Sequence, residues 1–304
     1  MTDGAPTVTV GLPVRNGAAT VGRALADLLR QDGVDLEVIV SDNASSDGTA
    51  EVIAEVAGDD ERVRLLRQPS NIGMVGNFQG VLERAAGRYF VFAAADDGWE
   101  PTFLARLVDR LDRDPSVVVA LSAVARFRPD GSEVDVVRNP QVERLGWFRL
   151  ALNIALARSK ENLYCYGLFR REFLERAFIV PDVVAGDRLL VMQFALAGRL
   201  AYVDDVLCHR VHSTVAHADR YGDESYGRLW RDRLRNWRYL ATLPGYLWRS
   251  PVVPLRRKVA IPVLLVAAVA AHLRIEVSDL FGRARPLRRL PARIRGRVSR
   301  TSAG

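Results

Sequence analysis

The feature that most constrains the fold is an alternation of short β-branched runs with amphipathic stretches through the first 122 residues. This pattern is typical of βαβ units, in which helices connect parallel strands. It predicts strands at residues 7–12, 36–41, 63–66, 89–94 and 117–121, and helices at residues 20–30, 48–56, 75–86 and 101–113. We therefore expect an α/β fold in which a mostly parallel sheet is flanked by helices.

The alternation weakens after residue 122. Residues 128–131 predict a turn between two exposed strands, followed by a helix at 187–198 and a strand at 200–208. From Asp223 onward the chain has a helical pattern. The predicted organisation is one domain at residues 1–222, with halves at 1–122 and 123–222, and a helical, basic C-terminal segment at residues 223–304.

The positive charge of the chain is concentrated near its C-terminus. Residues 251–304 contain twelve Arg or Lys and two acids, a net charge of +10. Because the whole chain carries +7, residues 1–250 are mildly acidic. A basic cleft for nucleic acid in the main domain is therefore not expected.

A run of thirteen apolar residues, 259–271, lies inside this basic segment. It is short for a membrane span, which takes roughly 17 to 25 residues. Eight arginines follow it between Arg283 and Arg300. An apolar run beside basic residues predicts contact with an anionic membrane surface, whereas the alternative is a buried helix with a basic tail.

The cysteines and the N-terminus indicate the compartment. Cys165 and Cys208 form no CxxC pair and have no nearby His cluster, so neither a disulfide framework nor a zinc site is predicted. The first residues show no basic start followed by an apolar run, so we expect no secretion signal. A reduced, cytoplasmic setting is expected, with the protein peripheral at the inner face of the cell membrane.

Polar residues follow three of the predicted strands. They occupy residues 13–16, 42–48 and 96–99. In open α/β sheets ligands bind beyond the carboxyl ends of the strands. The sequence therefore predicts a ligand site where these three loops meet.

In their order along the chain, these motifs resemble glycosyltransferase family 2. The matching elements are Pro13 with Asn16, residues 40–49, Asn71 and Gly73 through Asn77, the pair Asp96-Asp97 in residues 95–101, Asp187, and residues 208–212. The resemblance implies a GT-A fold and an inverting transfer of sugar from a nucleotide-diphosphate donor. The donor would be a UDP-, dTDP- or GDP-sugar, and the acceptor a hydroxyl of a glycan or glycolipid.

The resemblance also indicates which residues bind the donor. Asp42 can accept a hydrogen bond from a nucleobase N–H, although it could instead be a turn aspartate. Asp47 is expected to act mainly as a helix cap. The further residues expected around the nucleotide sugar are Pro13, Arg15, Asn16, Asn71, Gly73, Asn77, Asp96, Asp97, Arg210 and His212.

The acidic pair Asp96 and Asp97 predicts a metal site. A buried strand that ends in two carboxylates is costly unless a positive group lies there. Mg²⁺ or Mn²⁺ bound to diphosphate oxygens would suit the position. Ala94 stands where much of the family has another acid, so we expect Asp96 to be the main ligand and Asp97 a second contact. The alternative is a pair of solvated loop acids that cap the next helix.

The second half supplies the expected acceptor and base residues. By resemblance, Tyr164, Tyr166 and Arg170 fall in the acceptor region, although aromatic runs are more often core. Asp187 is expected to be the general base that deprotonates the acceptor hydroxyl. Its alternative role is a helix cap, in which case Asp182 or Asp204 would be considered as the base.

Two other functions are alternatives to a glycosyltransferase. A sugar-1-phosphate nucleotidyltransferase needs a Gly-rich loop with Lys or Arg after the first strand, and here only Gly17 follows Arg15-Asn16 early in that loop. A non-catalytic scaffold with the same fold stays open because Ala94 replaces an expected acid.

Overall fold

The computed structural model describes residues 4–156, 161–177, 186–211 and 233–283. The described strands are β1 (Val8–Val14), β2 (Leu36–Asp42), β3 (Val63–Arg67), β4 (Tyr89–Phe92), β5 (Gly98–Trp99), β6 (Val117–Phe127), β7 (Glu133–Val137), β8 (Leu168–Arg170) and β9 (Arg199–Val211). The described α-helices are α1 (Ala18–Leu29), α2 (Thr49–Ala57), α3 (Gly73–Leu82), α4 (Phe103–Arg113), α5 (Trp147–Ala155), α6 (Arg171–Ala177), α7 (Gly186–Ala197), α8 (Arg233–Arg249), α9 (Leu255–Lys258) and α10 (Ile261–Arg283). Short 3-10 helices lie at Pro140–Glu143 and Glu161–Tyr166.

The strands form one sheet in the order β3-β2-β1-β4-β8-β6-β9-β5, and β7 pairs with β6. The neighbours β3, β2, β1 and β4 are parallel. Strand β8 runs antiparallel to both β4 and β6, β9 runs parallel to β6, and β5 runs antiparallel to β9. All five predicted strands of the first half are present, and β6 continues into a hairpin with β7 through the predicted turn.

The sheet has an apolar core on each face. Alternate strand residues point to opposite sides, so Val38 and Val40 join the core under α1 and α4 while Ile39 joins the other. Helix α4 buries Leu104, Leu107 and Leu111, which share one helical face. The resulting arrangement has three layers, with helices on both faces of the sheet.

The C-terminal helices share the second core with the rest of the chain. Leu243 and Leu247 of α8 and Leu264 of α10 are fully buried in the cluster that also contains α5 and α7. In addition, Arg257 donates a hydrogen bond to the carbonyl of Leu196 at the end of α7 (2.9 Å). A positive charge at this position stabilises the C-terminal end of a helix. The described part of the segment 223–304 is therefore packed onto the sheet domain.

The apolar run 259–271 contributes directly to that core. Ile261, Leu264, Ala268 and Ala271 are buried on one face of α10. Across the four described stretches of chain, no helix combines the length and the apolarity needed to cross a membrane. The run thus packs on the protein through one of its faces.

Leu243→Ala tests whether these helices unfold together with the sheet domain. We expect the free energy of unfolding to fall by about 2–5 kcal/mol, because the change leaves a cavity in the shared core. Chemical denaturation followed by tryptophan fluorescence would measure it. Leu255→Ala is the control, since Leu255 is exposed and its loss should change stability little. A separate early transition, with the main transition unchanged, would contradict a shared core.

Candidate functional site

Parallel pairing brings the carboxyl ends of β1, β2 and β4 to one edge of the sheet. Val14 at the end of β1 is paired with Asp42 at the end of β2. Beyond the last residue of β4, the Ala93 N–H donates to the carbonyl of Gly11 (2.9 Å). The chain after β4 therefore continues to the same edge, so that the three predicted loops emerge together.

Hydrogen bonds join the loops that follow β1 and β2. The Asn16 N–H donates to Ser45 Oγ (2.8 Å), and the Ser46 N–H donates to Asn16 Oδ1 (3.0 Å). Asn16 and Ala44 adopt positive φ angles of 50° and 55°. Such angles are uncommon for residues other than glycine and cluster at functional sites. The two loops are thus held as one unit.

Asp47 caps the helices that follow both loops. Its carboxylate accepts hydrogen bonds from Ala18 N–H, the first residue of α1 (3.0 Å), and from Thr49 N–H, the first residue of α2 (3.1 Å). Burial opposes ionisation, but the hydrogen bonds from Thr49 and Ala18 keep the pKa of Asp47 below its usual value. This geometry agrees with the helix-capping role expected from the sequence.

Asp42 is buried at the end of β2 and accepts a hydrogen bond from the Ser45 N–H through Oδ1 (3.1 Å). This bond is of the kind that a turn aspartate makes. It uses one carboxylate oxygen for the turn, so a contact of the second oxygen with a nucleobase stays a prediction.

A cluster of asparagines connects the β2 end to the start of α3. Asn43 Nδ2 donates to Asn71 Oδ1 (2.9 Å), while Asn43 Oδ1 accepts from the Ile72 N–H (2.9 Å). Gly73 has a φ of 78°, which a residue with a side chain rarely adopts. Buried Asn77 donates to the carbonyl of Ser41 (3.0 Å). Asn43 was not singled out from the sequence, although its place beside Asp42 was visible.

The two neighbouring carboxylates of the acidic pair have different environments. Asp96 is half-buried, and its backbone carbonyl accepts a hydrogen bond from Arg23 of α1 (2.9 Å). Asp97 is fully buried and forms an ion pair with Arg210 of β9, with Asp97 Oδ2 3.1 Å from Arg210 Nε. The carboxylate of Asp97 is thus engaged in an ion pair with Arg210. Asp96 is the more accessible of the two candidate metal ligands. Arg23 was not anticipated, because nothing in its local sequence relates it to the acidic pair.

Arg210 lies between Asp97 and an aromatic ring. Its guanidinium carbon is 3.5 Å from the centre of the Tyr166 ring, a close cation–π contact. Burial opposes the charge, yet Tyr166 and Asp97 raise the pKa of Arg210, so it stays a cation. Burial also raises the pKa of the Tyr166 phenol to about 12, which keeps the phenol neutral. A fixed positive charge therefore lies beside the acidic pair.

Asp187 lies in the first turn of α7 and is exposed. Its Oδ1 accepts a hydrogen bond from the Arg188 N–H (2.9 Å). The Cys165 thiol, adjacent in sequence to Tyr166, approaches the backbone carbonyl of Asp187 (3.9 Å). Burial first, and the charge of Asp187 second, raise the pKa of Cys165, so this thiol is not ionised. Asp187 therefore presents a solvent-accessible carboxylate close to the Tyr166 segment.

The three residues expected to contact the acceptor are separated in the structure. Tyr166 contacts Arg210, and Tyr164 is buried beside it, where both line a small cavity with Ser122, Asn139, Tyr202 and Cys208. Arg170 lies elsewhere, so its placement in the acceptor region needs correction. It ends β8, pairs in register with Tyr89 at the start of β4, and donates to the carbonyls of Val117 and Leu111. Because β8 runs antiparallel to β4, Arg170 is at the opposite edge of the sheet.

Two further predicted site residues, Pro13 and Arg15, lie in or directly after β1. Pro13 is buried within β1, and Arg15 is half-buried just beyond it. His212 and Asp182 lie outside the described residues. No group of three or more His, Cys, Asp or Glu side chains is arranged to hold a metal ion within the described part of the chain. The acidic pair therefore offers a small number of protein ligands rather than a complete metal cage.

Taken together, contacts run from the loop after β4 to the start of α7. Asp97 pairs with Arg210, Arg210 lies over Tyr166, and the neighbouring Cys165 approaches Asp187. The candidate metal ligand and the candidate base are therefore at two ends of one contiguous site.

Comparison with known proteins identifies the family. The sequence profile of glycosyl transferase family 2 matches residues 9–178, more than half of the chain. The chain belongs to this family.

The names of two similar proteins refer to polysaccharide biosynthesis. The chain is similar to the succinoglycan biosynthesis protein ExoO of Rhizobium meliloti, with 31% identity over 207 residues. It is also similar to the putative teichuronic acid biosynthesis glycosyltransferase TuaG of Bacillus subtilis, with 27% identity over 135 residues. These matches cover 66% and 44% of this chain, but only 59% and 53% of the relatives.

Solved structures share the fold. The S. aureus TarS fragment 1–349 in complex with UDP-GlcNAc aligns with a TM-score of 0.65 at 15% identity, over 92% of this chain and 76% of that one. The mannosyltransferase PcManGT of Pyrobaculum calidifontis, in complex with GDP-Man and Mn²⁺, aligns with a TM-score of 0.54 at 23% identity, over 93% and 82%. The GT-A fold expected from the sequence is confirmed.

Proposed function

We propose that this protein transfers a sugar, with inversion, from a nucleotide-diphosphate donor to a hydroxyl of a glycan or glycolipid. The observation that carries the proposal is the contiguous site described above. It comprises a half-buried carboxylate in the loop after β4, a mostly buried arginine cation paired with the next residue of that loop, and an exposed carboxylate at the start of α7. In a direct displacement, the exposed carboxylate would act as a base on the attacking hydroxyl, and the other two groups would act at the diphosphate.

The joined loops after β1 and β2 would bind the nucleotide. Asp42 would accept a hydrogen bond from the base, while Asn16, Arg15 and Pro13 line the same strand edge. The asparagine cluster of Asn43 and Asn71 would keep Gly73 and the start of α3 in place beside it. TarS and PcManGT carry UDP-GlcNAc and GDP-Man in their solved complexes, which supports a nucleotide sugar as the donor class.

The residues present fit a divalent cation that is held mainly by the substrate. Asp96 offers a half-buried carboxylate, Asp97 is engaged with Arg210, and His212 is a further candidate from the sequence. Mg²⁺ and Mn²⁺ can bind at such a site, where one or two carboxylates are protein ligands and phosphates and water supply the other ligands. When bound, the ion would offset negative charge on the departing diphosphate. Arg210 would add a positive charge there or orient the loop that carries Asp96.

Asp187 would remove the proton from the attacking hydroxyl. Its carboxylate is exposed, lies in the first turn of α7, and is linked to the Tyr166 segment through Cys165. Tyr166 would then border the acceptor, with the buried Tyr164 packed behind it. The transferred sugar would form no bond to the protein, because a single displacement requires a base but no nucleophilic side chain.

The names of two relatives refer to succinoglycan and teichuronic acid biosynthesis, which supports a polysaccharide product. We also propose that the enzyme is peripheral on the cytoplasmic face of the membrane. The basic C-terminal segment would provide contact with anionic lipids. The alternatives are a non-catalytic scaffold and a nucleotidyltransferase. The described loop after β1 passes from Arg15 to α1 within three residues and is not Gly-rich, which weighs against a nucleotidyltransferase.

A thermal-shift panel of UDP, GDP and dTDP, with and without Mn²⁺ or Mg²⁺, tests the donor class. A ligand that binds only the folded state raises its stability, so one nucleotide should raise the melting temperature and do so more with metal. Turnover of the matching nucleotide sugar would then separate an enzyme from a scaffold. Binding without any hydrolysis or transfer would favour the scaffold.

Asp96→Ala should remove the metal-dependent part of this stabilisation. Asp96 is half-buried and its side chain is not part of the apolar core, so the fold should stay intact. The measurement is the nucleotide-induced melting shift in Mn²⁺ against chelator. Asp205→Ala is the control, because Asp205 is an exposed aspartate of β9 that forms an ion pair with Arg106 of α4. An unchanged metal dependence in Asp96→Ala would show that Asp96 is not the ligand.

A further inference from the structure

One face of the C-terminal helices exposes a row of large apolar side chains. The row, here called the apolar stripe, consists of Leu255, Val259, Val263, Val266 and Leu273. Val263, Val266 and Leu273 are three and seven residues apart and lie on one side of α10, whereas Leu255 belongs to α9 and Val259 to the turn between the two helices. Val259 is 75% exposed and Val266 is 69% exposed, values unusual for valine in a folded protein.

The opposite face of the same helix is already used by the core. Ile261, Leu264, Ala268 and Ala271 are buried there against the other helices. At 100° per residue, this buried face and the apolar stripe lie on nearly opposite sides of α10. The stripe therefore lies outside the core, and a row of exposed large apolar side chains on one helix face is a candidate interaction site.

Positive charges lie along the stripe. Arg256 and Arg274 are exposed near its two ends, and Arg249 is exposed at the end of α8 beside Trp248, which is also exposed. Residues 251–304 carry a net charge of +10, with Glu276 and Asp279 as their only acids. A second copy of the chain would bring two such segments together and suffer charge repulsion. An anionic surface would instead be attracted to them.

We propose that the apolar stripe and its flanking arginines form a docking surface for an anionic lipid bilayer. The helix would lie parallel to the surface, with the valines among the acyl chains and the arginines at the headgroups. The part of the stripe on α10 runs over about 15 Å, taking 1.5 Å per residue from Val263 to Leu273. This inference rests on the proposed function only in assuming that the acceptor is at the membrane. It assigns the membrane contact to one helix face instead of to the whole apolar run 259–271.

The test is co-sedimentation of the full chain with vesicles of phosphatidylcholine and phosphatidylglycerol, compared with phosphatidylcholine alone. The double variant Val263→Glu/Val266→Glu should lower binding to the anionic vesicles by about 10- to 100-fold, from the apolar area that no longer leaves water. Val263→Gln/Val266→Gln, which adds no charge, should lower it in the same direction. Arg256→Gln/Arg274→Gln should weaken binding and reduce its salt dependence.

The matched control is Val134→Glu/Val136→Glu, which alters two exposed valines of β7 and should leave vesicle binding unchanged. Melting temperature and nucleotide binding of every variant should match the wild type, which separates this inference from a failure of the proposed function. Equal vesicle binding by wild type and both stripe variants would overturn the proposal. So would a dimer, detected by light scattering without vesicles, that the stripe variants convert to a monomer.

Discussion

Asp187→Asn is expected to lower sugar transfer by about 10²- to 10⁴-fold while leaving the melting temperature and donor binding unchanged. Asparagine keeps the size of aspartate and an oxygen that can accept the Arg188 N–H. It cannot accept the proton of the acceptor hydroxyl. The measurement is transfer from the nucleotide sugar identified by the thermal-shift panel, with the melting temperature recorded for the same preparation.

Glu172→Gln is a matched control for this experiment. Glu172 is an exposed acid in the first turn of α6, so its removal alters the same kind of helix position without touching the site. Transfer by this variant should equal that of the wild type. Near-normal transfer by Asp187→Asn would leave Asp187 a structural role at the start of α7, and attention would pass to Asp182 or Asp204.

Asp97→Asn is expected to lower the free energy of unfolding by about 3–5 kcal/mol, because it leaves the buried charge of Arg210 without its partner. The melting temperature should fall by about 10 °C. Asp96→Asn, one residue away, should leave the melting temperature unchanged. The contrast follows from burial, since Asp97 is enclosed while Asp96 is partly exposed.

A double variant tests the cause of this loss. Asp97→Asn/Arg210→Met removes both charges and should recover much of the stability lost in Asp97→Asn, because no unpaired charge stays buried. Nucleotide binding should not recover, since Arg210 is a proposed donor contact. Equal melting temperatures for Asp96→Asn and Asp97→Asn would contradict the separate roles assigned to the two aspartates.

The fold of the first half was predictable because its signal is local. The alternating β-branched runs predict most ends of strands β1 to β4 to within one or two residues. The apolar residues of α4 recur with a period of 3.6, which predicts its buried face. The position of the site followed from the same pattern, since residues after parallel strands meet at one edge. Asp42 and Asp96 could be selected for this reason, whereas Asn71 was indicated by the family resemblance.

The rest of the site depends on pairing between distant segments. Arg170 was placed with the acceptor residues because it is near Tyr166 in sequence, but the antiparallel direction of β8 moves it to the other edge. The environment of Asp97 likewise depends on β9, more than a hundred residues later, which brings Arg210 to it. No local pattern reports such a contact. For the same reason, the sequence does not decide whether the apolar run is buried. In the structure, one face of α10 is packed in the core and the opposite face is exposed to solvent.

Helix α7 joins the candidate base to the C-terminal helices. Asp187 lies in its first turn, while Gln193 donates to the Tyr246 hydroxyl of α8 and the carbonyl of Leu196 accepts from Arg257 near its end. Its twelve residues form a rod about 18 Å long that is anchored at one end to the helices carrying the apolar stripe. With that stripe resting on a bilayer, the height of the reacting hydroxyl above the lipid would be set by a rigid spacer. The protein would then select acceptors by how far their terminal sugar stands from the membrane as well as by their chemistry.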